Sequence, residues 1–393
     1  MRNIKWTAFI TLVVFINLVC MNACKPIKNL SARPVSWSGS ASLAREAVQY
    51  DPAKKTVFVI ADYKLTEMFD MMAPYYLFNA TGKANVYIIA KDETPVFIKR
   101  DLFVKPQLTF AQADSMNMHA DVIVIPALSI RTNQQDSTVV AWIKNHHTSD
   151  SKVLAICDGA STAAATGLYD GKAITCHASD YAGISSQFQR PLWTQNVSVT
   201  KSGNLFSTAG VSNAVEGSLA VIDEMFGTST MEKVMNDIHY RFPQIKYEHK
   251  SVPVNGRAKM TALKKIMFRK NKDVGLLLSN GVNEFQLASV LDTYGRTFPA
   301  TLTTIIRNDT AVKTKYGLSL IFTGKADVVK LDELHVLSQD ALSPREESDY
   351  RKVEIVRYDS FSENYPIDVC LKRISQQYGR SFENLVKISL DYN

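Results

Sequence analysis

Short apolar runs alternate with longer amphipathic stretches along most of the chain. The runs KTVFVI, NVYIIA and DVIVIP are rich in β-branched residues, which is typical of strands buried on both faces of a parallel sheet. Between the first two lies EMFDMMAPYYLFNA, a stretch of helical length. This alternation predicts an α/β fold, a three-layer sandwich with a mostly parallel, flavodoxin-like sheet.

The pattern begins a second time near Lys272. From there KDVGLLLSNGVNEFQLASVL retraces the segment that begins at Lys55, strand for strand. Residues 215–240 then align without a gap to residues 367–392, but at a shorter offset along the chain. We therefore predict a tandem duplication whose second copy has lost its middle segment.

These observations divide the chain into five predicted segments. They are a signal peptide (1–23), a tether (24–53), a complete α/β domain (54–242), a basic linker (243–271) and a truncated second copy of the same fold (272–393).

The N-terminal segment has the features of an export signal. Arg2 and Lys5 precede an apolar stretch from Trp6 to Val19, and Ala23 stands directly before Cys24. Ala23-Cys24 resembles the bacterial lipobox, in which the cysteine is lipidated after cleavage; an uncleaved anchor helix is the alternative. Either interpretation predicts a membrane-anchored protein of the cell envelope, periplasmic or otherwise extracytoplasmic.

Composition narrows the possible functions. The chain has 393 residues, is 46% hydrophobic and carries a formal net charge of +7, which gives little support to nucleic-acid binding. Five cysteines in a chain of this length do not indicate a disulfide scaffold. The adjacent pair His146-His147 would diverge on a helix, so no metal site is predicted, and no cofactor is predicted either.

The main candidate for chemistry is the cysteine in AICDGAS. Cys157 follows an apolar run that ends at Ile156 and precedes small residues that continue as a helix. At such a strand-to-helix turn, outward-pointing N–H groups favour a thiolate. A small residue packed into a tight turn is the alternative explanation.

The segment AICDGAS, preceded by ADVIVIP and followed by ATGLYDGKAITCH, resembles the ThiJ/PfpI superfamily of class I glutamine amidotransferase-like folds. The resemblance is closest to the amidase-like domains of AraC-type regulators and to isonitrile hydratase, and it covers about residues 54–242. Neither copy has a helix-turn-helix region. The resemblance implies the expected fold and a cysteine nucleophile acting on a small molecule.

The resemblance also assigns roles to four residues. It implies that Cys157 is the nucleophile, a thiolate hydrogen-bonded to a protonated Asp70. His177 matches a histidine common in the family, and the Asp158 N–H would face a developing oxyanion. A helix-terminal charge for Asp70 and a structural role for His177 are the alternatives.

Three departures from the family pattern leave two functions open. Asp158 stands where the family's proteases carry histidine, Ala127-Leu128 replaces a Gly-Gly loop, and the second copy has Gln286 near the Asp70 position and no cysteine turn. The first function is an exported cysteine enzyme acting on a small electrophile, by C–N hydration or hydrolysis or on a dicarbonyl. The second is a non-catalytic ligand-binding or redox-sensing pseudo-dimer, in which the second copy supplies the partner surface within the chain.

The segment RAKMTALKKIMFRKNK (257–272) carries seven basic residues and no acid. Its spacing predicts a helix with Met260, Leu263, Ile266 and Met267 on one face. We expect a linker helix seated across the two halves; contact with anionic lipid headgroups is the alternative.

Overall fold

The computed structural model describes residues 23–29, 35–39, 48–99, 102–128, 135–306, 311–322, 330–338 and 341–392. Residues 1–22, which include nearly all of the predicted signal peptide, lie outside this described part of the chain. Among the described residues, no helix combines the length and apolar character needed to cross a membrane.

Residues 23–29 are helical, and the described residues from 48 to 237 contain eleven strands and seven α-helices. The strands are β1 (Lys55–Ile60), β2 (Ala84–Ala90), β3 (Val96–Lys99), β4 (Leu102–Val104), β5 (Leu108–Thr109), β6 (Val122–Ile125), β7 (Lys152–Ala155), β8 (Ala173–Ile174), β9 (Leu192–Trp193), β10 (Val199–Ser202) and β11 (Leu205–Thr208). The helices are α1 (Met68–Ala80), α2 (Phe110–Ser115), α3 (Ser137–His146), α4 (Gly159–Ala165), α5 (Tyr181–Gln187), α6 (Ala214–Phe226) and α7 (Thr228–Asp237).

Seven of these strands form one sheet in the order β10-β11-β7-β6-β1-β2-β5. Every neighbouring pair is parallel except β10 and β11. Alternate residues of β1 enter opposite cores: Val57 packs with α1 and α6, and Phe58 packs with α2, α3 and α4 on the other face. The prediction of an α/β sandwich with a mostly parallel sheet is confirmed.

The second half, residues 272–392, forms a smaller sheet with its own helices. Its elements, after the linker helix α8 (Gly256–Phe268), are β12 (Asp273–Leu277), α9 (Glu284–Gly295), β13 (Thr301–Ile305), β14 (Ala311–Lys313), β15 (Ser319–Phe322), β16 (Glu333–Val336), α10 (Pro344–Glu347), β17 (Glu354–Arg357), α11 (Pro366–Tyr378) and α12 (Arg380–Leu390). The parallel order β13-β12-β16-β17 has the same neighbours as β2-β1-β6-β7. The duplication itself stays a prediction.

The two halves share a continuous apolar core. Helix α1 packs against α9, where the Phe285 ring lies 5.6 Å from Phe69 and 6.0 Å from Tyr76 between ring centroids. Strand β4 also pairs antiparallel with β15, so hairpins from both halves form one four-stranded sheet. The second half therefore covers a face of the first domain that would otherwise expose apolar side chains.

The predicted linker helix forms α8, but the apolar residues of its predicted face are not buried together. Met260 and Leu263 are exposed, and the buried residues are Ala258, Lys265 and Ile266. Helix α8 packs against α12, and Ala258 and Ile266 are buried in the shared core or beside it.

The aromatic contact between the halves predicts a large loss of stability when the Phe285 side chain is replaced by a methyl group. Phe285 is 1% exposed, so Phe285→Ala should lower the free energy of unfolding by about 3–5 kcal/mol through lost burial and a residual cavity. Leu192→Ala, at a side chain that is 60% exposed, is the control and should change it little. Urea unfolding measures both; equal stability of the two variants would contradict the shared core.

Candidate functional site

Cys157 lies in a strained turn between β7 and α4. Its φ is +54°, a left-handed conformation that costs a residue with a Cβ on the order of 1 kcal/mol. Its N–H donates to Thr208 Oγ1 at 3.3 Å. A Cβ on Gly159 would lie 2.0 Å from the Ile125 carbonyl oxygen, so only glycine lets α4 begin this close to β6. These neighbours hold the turn in its strained form.

Asp70 lies in the first turn of α1 and is fully buried. Its Oδ2 accepts the Ala127 N–H at 3.2 Å, while Oδ1 has no hydrogen-bond partner among the described residues. Burial raises the pKa of Asp70 well above its usual value, and the nearby Glu67 carboxyl raises it further. This environment therefore favours the neutral form of Asp70, which has a proton to donate.

The Cys157 sulfur is protonated as well. The residue is 4% exposed, and burial raises the pKa of its thiol well above the ordinary value, followed by the effects of the Asp70 and Asp158 carboxyls. The Asp158 N–H, which faces the sulfur, acts in the opposite direction but is outweighed. The resting thiolate implied by the family resemblance is thus not what this environment favours, because one amide cannot offset burial beside two acids.

Two backbone donors of the site are already engaged. The Asp158 N–H faces the sulfur, and the Ala127 N–H donates to Asp70. The Ala127 carbonyl in turn accepts the Glu67 N–H at 2.8 Å, and Leu128 is buried. In this form of the protein, the Ala127-Leu128 loop supports Asp70 rather than presenting an open oxyanion hole.

Asp158 and His177 form the second part of the site. Burial raises the pKa of Asp158 to about 7, with a contribution from Asp180. Burial alone would lower the pKa of His177, but the neighbouring carboxyls of Asp180, Asp391 and Asp158 outweigh it and raise the value. The four predicted residues thus occupy one neighbourhood, with Asp70 and Asp158 close to the sulfur and His177 beside Asp158.

Sequence reasoning did not identify Glu67. This residue caps α1, where its Oε2 accepts the Asp70 N–H at 2.8 Å. Its Oε1 lies 3.9 Å from Nη2 of Arg296 in the second half. The spacing of an acceptor three residues before Asp70 is an N-cap signal that could have found it. In the second half, Asn283 caps α9 in the same way: its Oδ1 accepts the Gln286 N–H at 3.1 Å.

Asp391 is a second residue that the sequence did not indicate. It comes from the end of α12 but lies against the first domain, with its Oδ1 3.0 Å from His249 Nε2. The Asp391 backbone carbonyl accepts a hydrogen bond from the Ser212 hydroxyl at 3.1 Å. A Cβ added to Gly210 would lie 2.1 Å from the Asp391 Cβ, so Asp391 packs directly against that glycine. Residues this far apart in the sequence form no local motif, so the sequence alone did not predict the contact.

Other features lie away from this site. A cavity of about 720 Å³ lies between the β5 edge and the second half, lined by residues that include Tyr75, Gln107 and Tyr316, but by none of the four predicted site residues. No group of three or more His, Cys, Asp or Glu side chains among the described residues could hold a metal ion. Cys176 packs in the core on the opposite face of the sheet from Cys157.

Glu67 should make the stability of the protein depend on pH. Burial raises its pKa to about 7, so the folded state keeps a proton that the unfolded chain releases near pH 4–5. The resulting stability is lost as pH rises through about 7. The side chain of the Glu67→Gln variant stays neutral at every pH. Between pH 5 and pH 8, its free energy of unfolding should therefore fall less than that of the unmodified chain, and the difference should be on the order of 1–3 kcal/mol.

Urea unfolding at several pH values measures this difference. The exposed Glu232→Gln variant is the control and should follow the unmodified chain at every pH. Curves for Glu67→Gln that run parallel to those of the unmodified chain would show that Glu67 is ionised in the folded protein.

Asp391 should influence His177 across the contact between the halves. Asp391→Asn removes one of the carboxyls that raise the pKa of His177, so that pKa should fall. NMR titration of the His177 ring measures it, with the exposed Asp349→Asn as a control from the same half. An unchanged titration in Asp391→Asn would place Asp391 outside the electrostatic reach of the site.

Comparisons with known proteins show what the first half of the chain is similar to. Residues 54–224 match the model of the DJ-1/PfpI family. The chain is 24% identical over 175 residues to isonitrile hydratase of Pseudomonas putida, covering 44% of this chain and 74% of that protein. It is 25% identical over 182 residues to protein dj-1beta of Drosophila melanogaster, covering 46% of this chain and 94% of that protein.

Among solved structures, a ThiJ/PfpI family protein from Pseudomonas syringae aligns with a TM-score of 0.44 and 19% identity, covering 61% of this chain and 96% of that one. The superfamily predicted from the AICDGAS segment is confirmed by the family match. Through residues 54–224, the chain is similar to the DJ-1/PfpI family.

Proposed function

We propose that this protein is an exported enzyme of the DJ-1/PfpI family in which Cys157 adds to a small electrophilic carbon and Asp70 supplies the proton. One observation carries the proposal. A buried carboxyl with a raised pKa and one oxygen without a hydrogen-bond partner lies close to a cysteine held in a strained turn. Strain of this kind and shifted pKa values concentrate at functional sites.

A neutral acid beside a neutral thiol suits an uncharged substrate with a carbon–nitrogen multiple bond. The sulfur forms a bond to the carbon, Asp70 gives its proton to the substrate, and the thiol proton passes to Asp70 in exchange. Water then attacks the same carbon and the sulfur leaves, regaining a proton. The sum is the addition of one water molecule, with Asp70 acting first as acid and then as base.

The substrate class is supported by the relative named for the hydration of an isonitrile. A dicarbonyl, in which sulfur adds to a carbonyl carbon, is the second electrophile that the same pair could serve. Because Cys157 is almost fully buried, we expect a small substrate in either case.

A non-catalytic, ligand-binding pseudo-dimer is the second candidate. It is favoured by the two backbone N–H groups of the site, both of which are already engaged. The redox-sensing form of this hypothesis is weaker, because oxidation requires thiolate character and burial opposes it. The shared core of α1 and α9 and the four-stranded sheet made by both halves support a pseudo-dimer in either function.

We further propose that the chain is a lipoprotein of the cell envelope, anchored through Cys24. The lipobox-like Ala23-Cys24 pair supports this, and Cys24 is exposed in the helical segment 23–29.

Activity measurements test the catalytic proposal. The full chain should hydrate a small aliphatic isonitrile or, as the second class, consume a 1,2-dicarbonyl. Cys157→Ala and Asp70→Asn should each lower kcat/KM by at least about 100-fold, because each removes a group that takes part in bond formation or proton transfer. Cys370→Ala, which removes a different buried thiol, is the matched control and should retain activity.

Retained turnover in Cys157→Ala would contradict the catalytic proposal. Binding of either compound without turnover, seen as a raised melting temperature in the unmodified chain, would support the ligand-binding alternative instead.

A further inference from the structure

Helix α8 presents apolar side chains to solvent and buries a lysine. Met260, Leu263 and Phe268 are 51%, 42% and 60% exposed, whereas Lys265 is 4% exposed. The Lys265 Nζ donates to Asn271 Oδ1 and to the Phe298 carbonyl oxygen, both at 2.9 Å, so this end of α8 is fixed in its orientation. A helix held with large apolar side chains outward indicates a surface that another body covers.

The same exposed face is positively charged. Arg257, Lys259 and Lys264 are exposed, and none forms an ion pair with a carboxylate of the described residues. No acidic residue occurs between 257 and 272. Apolar side chains flanked by basic ones on one helical face are typical of helices that lie in a membrane interface.

The beginning of the described chain is attached close to this helix. Lys25 Nζ lies 3.6 Å from Asp273 Oδ1, and Asn29 Nδ2 donates to the Ala300 carbonyl oxygen at 2.6 Å. The Ala300 N–H in turn donates to the Lys272 carbonyl, four residues after α8 ends. Cys24, the proposed site of lipid attachment, directly precedes Lys25 in the sequence.

We propose that the exposed face of α8 binds the surface of a bilayer containing anionic phospholipids. Met260, Leu263 and Phe268 enter the boundary between headgroups and acyl chains, and the three unpaired basic residues contact anionic headgroups. A bilayer fits better than a nucleic acid, since a nucleic acid offers no apolar phase for these side chains. It fits better than a second copy of the chain, since Cys24, the proposed site of lipid attachment, directly precedes Lys25, which lies beside the segment that follows α8.

This proposal is independent of the chemistry at Cys157 and adds a second contact to the proposed N-terminal attachment. The test uses the full chain reconstituted with vesicles of phosphatidylcholine alone or with added phosphatidylglycerol. Hydrogen–deuterium exchange of residues 256–268 reports the helix, and flotation reports attachment of the whole chain. Exchange in α8 should slow at least about tenfold only with phosphatidylglycerol, and raised salt should remove the effect.

Charge reversal gives the matched comparison. The double variant Lys259→Glu with Lys264→Glu should lose the protection, because it replaces two attractive charges by repulsive ones. The double variant Lys172→Glu with Lys233→Glu makes the same change in net charge at two other exposed sites and should keep it. All four lysines are exposed, so both variants should melt at the temperature of the unmodified chain.

Several results would overturn the proposal. Equal protection of α8 in both kinds of vesicle would do so, and so would protection retained in the Lys259→Glu and Lys264→Glu double variant. Flotation without any protection of α8 would also do so, but it would leave the proposed N-terminal attachment intact. Protection that grows with protein concentration in the absence of lipid would assign the face to a second copy of the chain. Failure to float with either vesicle would reject both the helix contact and the N-terminal attachment.

Discussion

The joint burial of a carboxyl and a thiol is the constraint on which the rest of the site depends. Asp70 and Cys157 are close together in an environment that disfavours charge on either group. Burial raises the pKa of both, the Asp70 carboxyl raises that of Cys157 further, and the Glu67 carboxyl raises that of Asp70. The strained turn holds the sulfur there, and Gly159 allows the turn to lie against β6. An acid kept neutral at pH 7 can donate a proton, which a surface aspartate cannot do.

The second half of the chain contributes to this environment although it has no cysteine turn of its own. Arg296 and Asp292 lie next to Glu67, with Arg296 Nη2 2.9 Å from Asp292 Oδ2. Burial is the largest cause of the raised Glu67 pKa, and the Asp292 carboxyl is the second. Asp391 acts on His177 from the other end of the same half. The halves therefore share electrostatics as well as a core, so the second half contributes to the site although it carries no cysteine turn.

Much of the fold and the centre of the site could be predicted from the sequence. Apolar runs and helical spacing indicated the α/β sandwich, and the AICDGAS segment led through family resemblance to Cys157 and Asp70. The sequence shows a helix start at Cys157 but not the burial around it, which raises the pKa of the thiol and disfavours the expected thiolate. The sequence also does not show which side chains of α8 are buried, because that depends on the helices packed against it. Asp391 depends on a contact across the whole chain, which only the folded structure reveals.

The protonation state of Asp70 tests this account most directly. The infrared difference spectrum between the unmodified chain and Asp70→Asn at neutral pH isolates the signal of that one carboxyl group. We predict that the variant loses the carbonyl stretching band of a protonated carboxylic acid. Loss of the bands of an ionised carboxylate instead would contradict the proposed role of Asp70 as the proton donor to Cys157 chemistry.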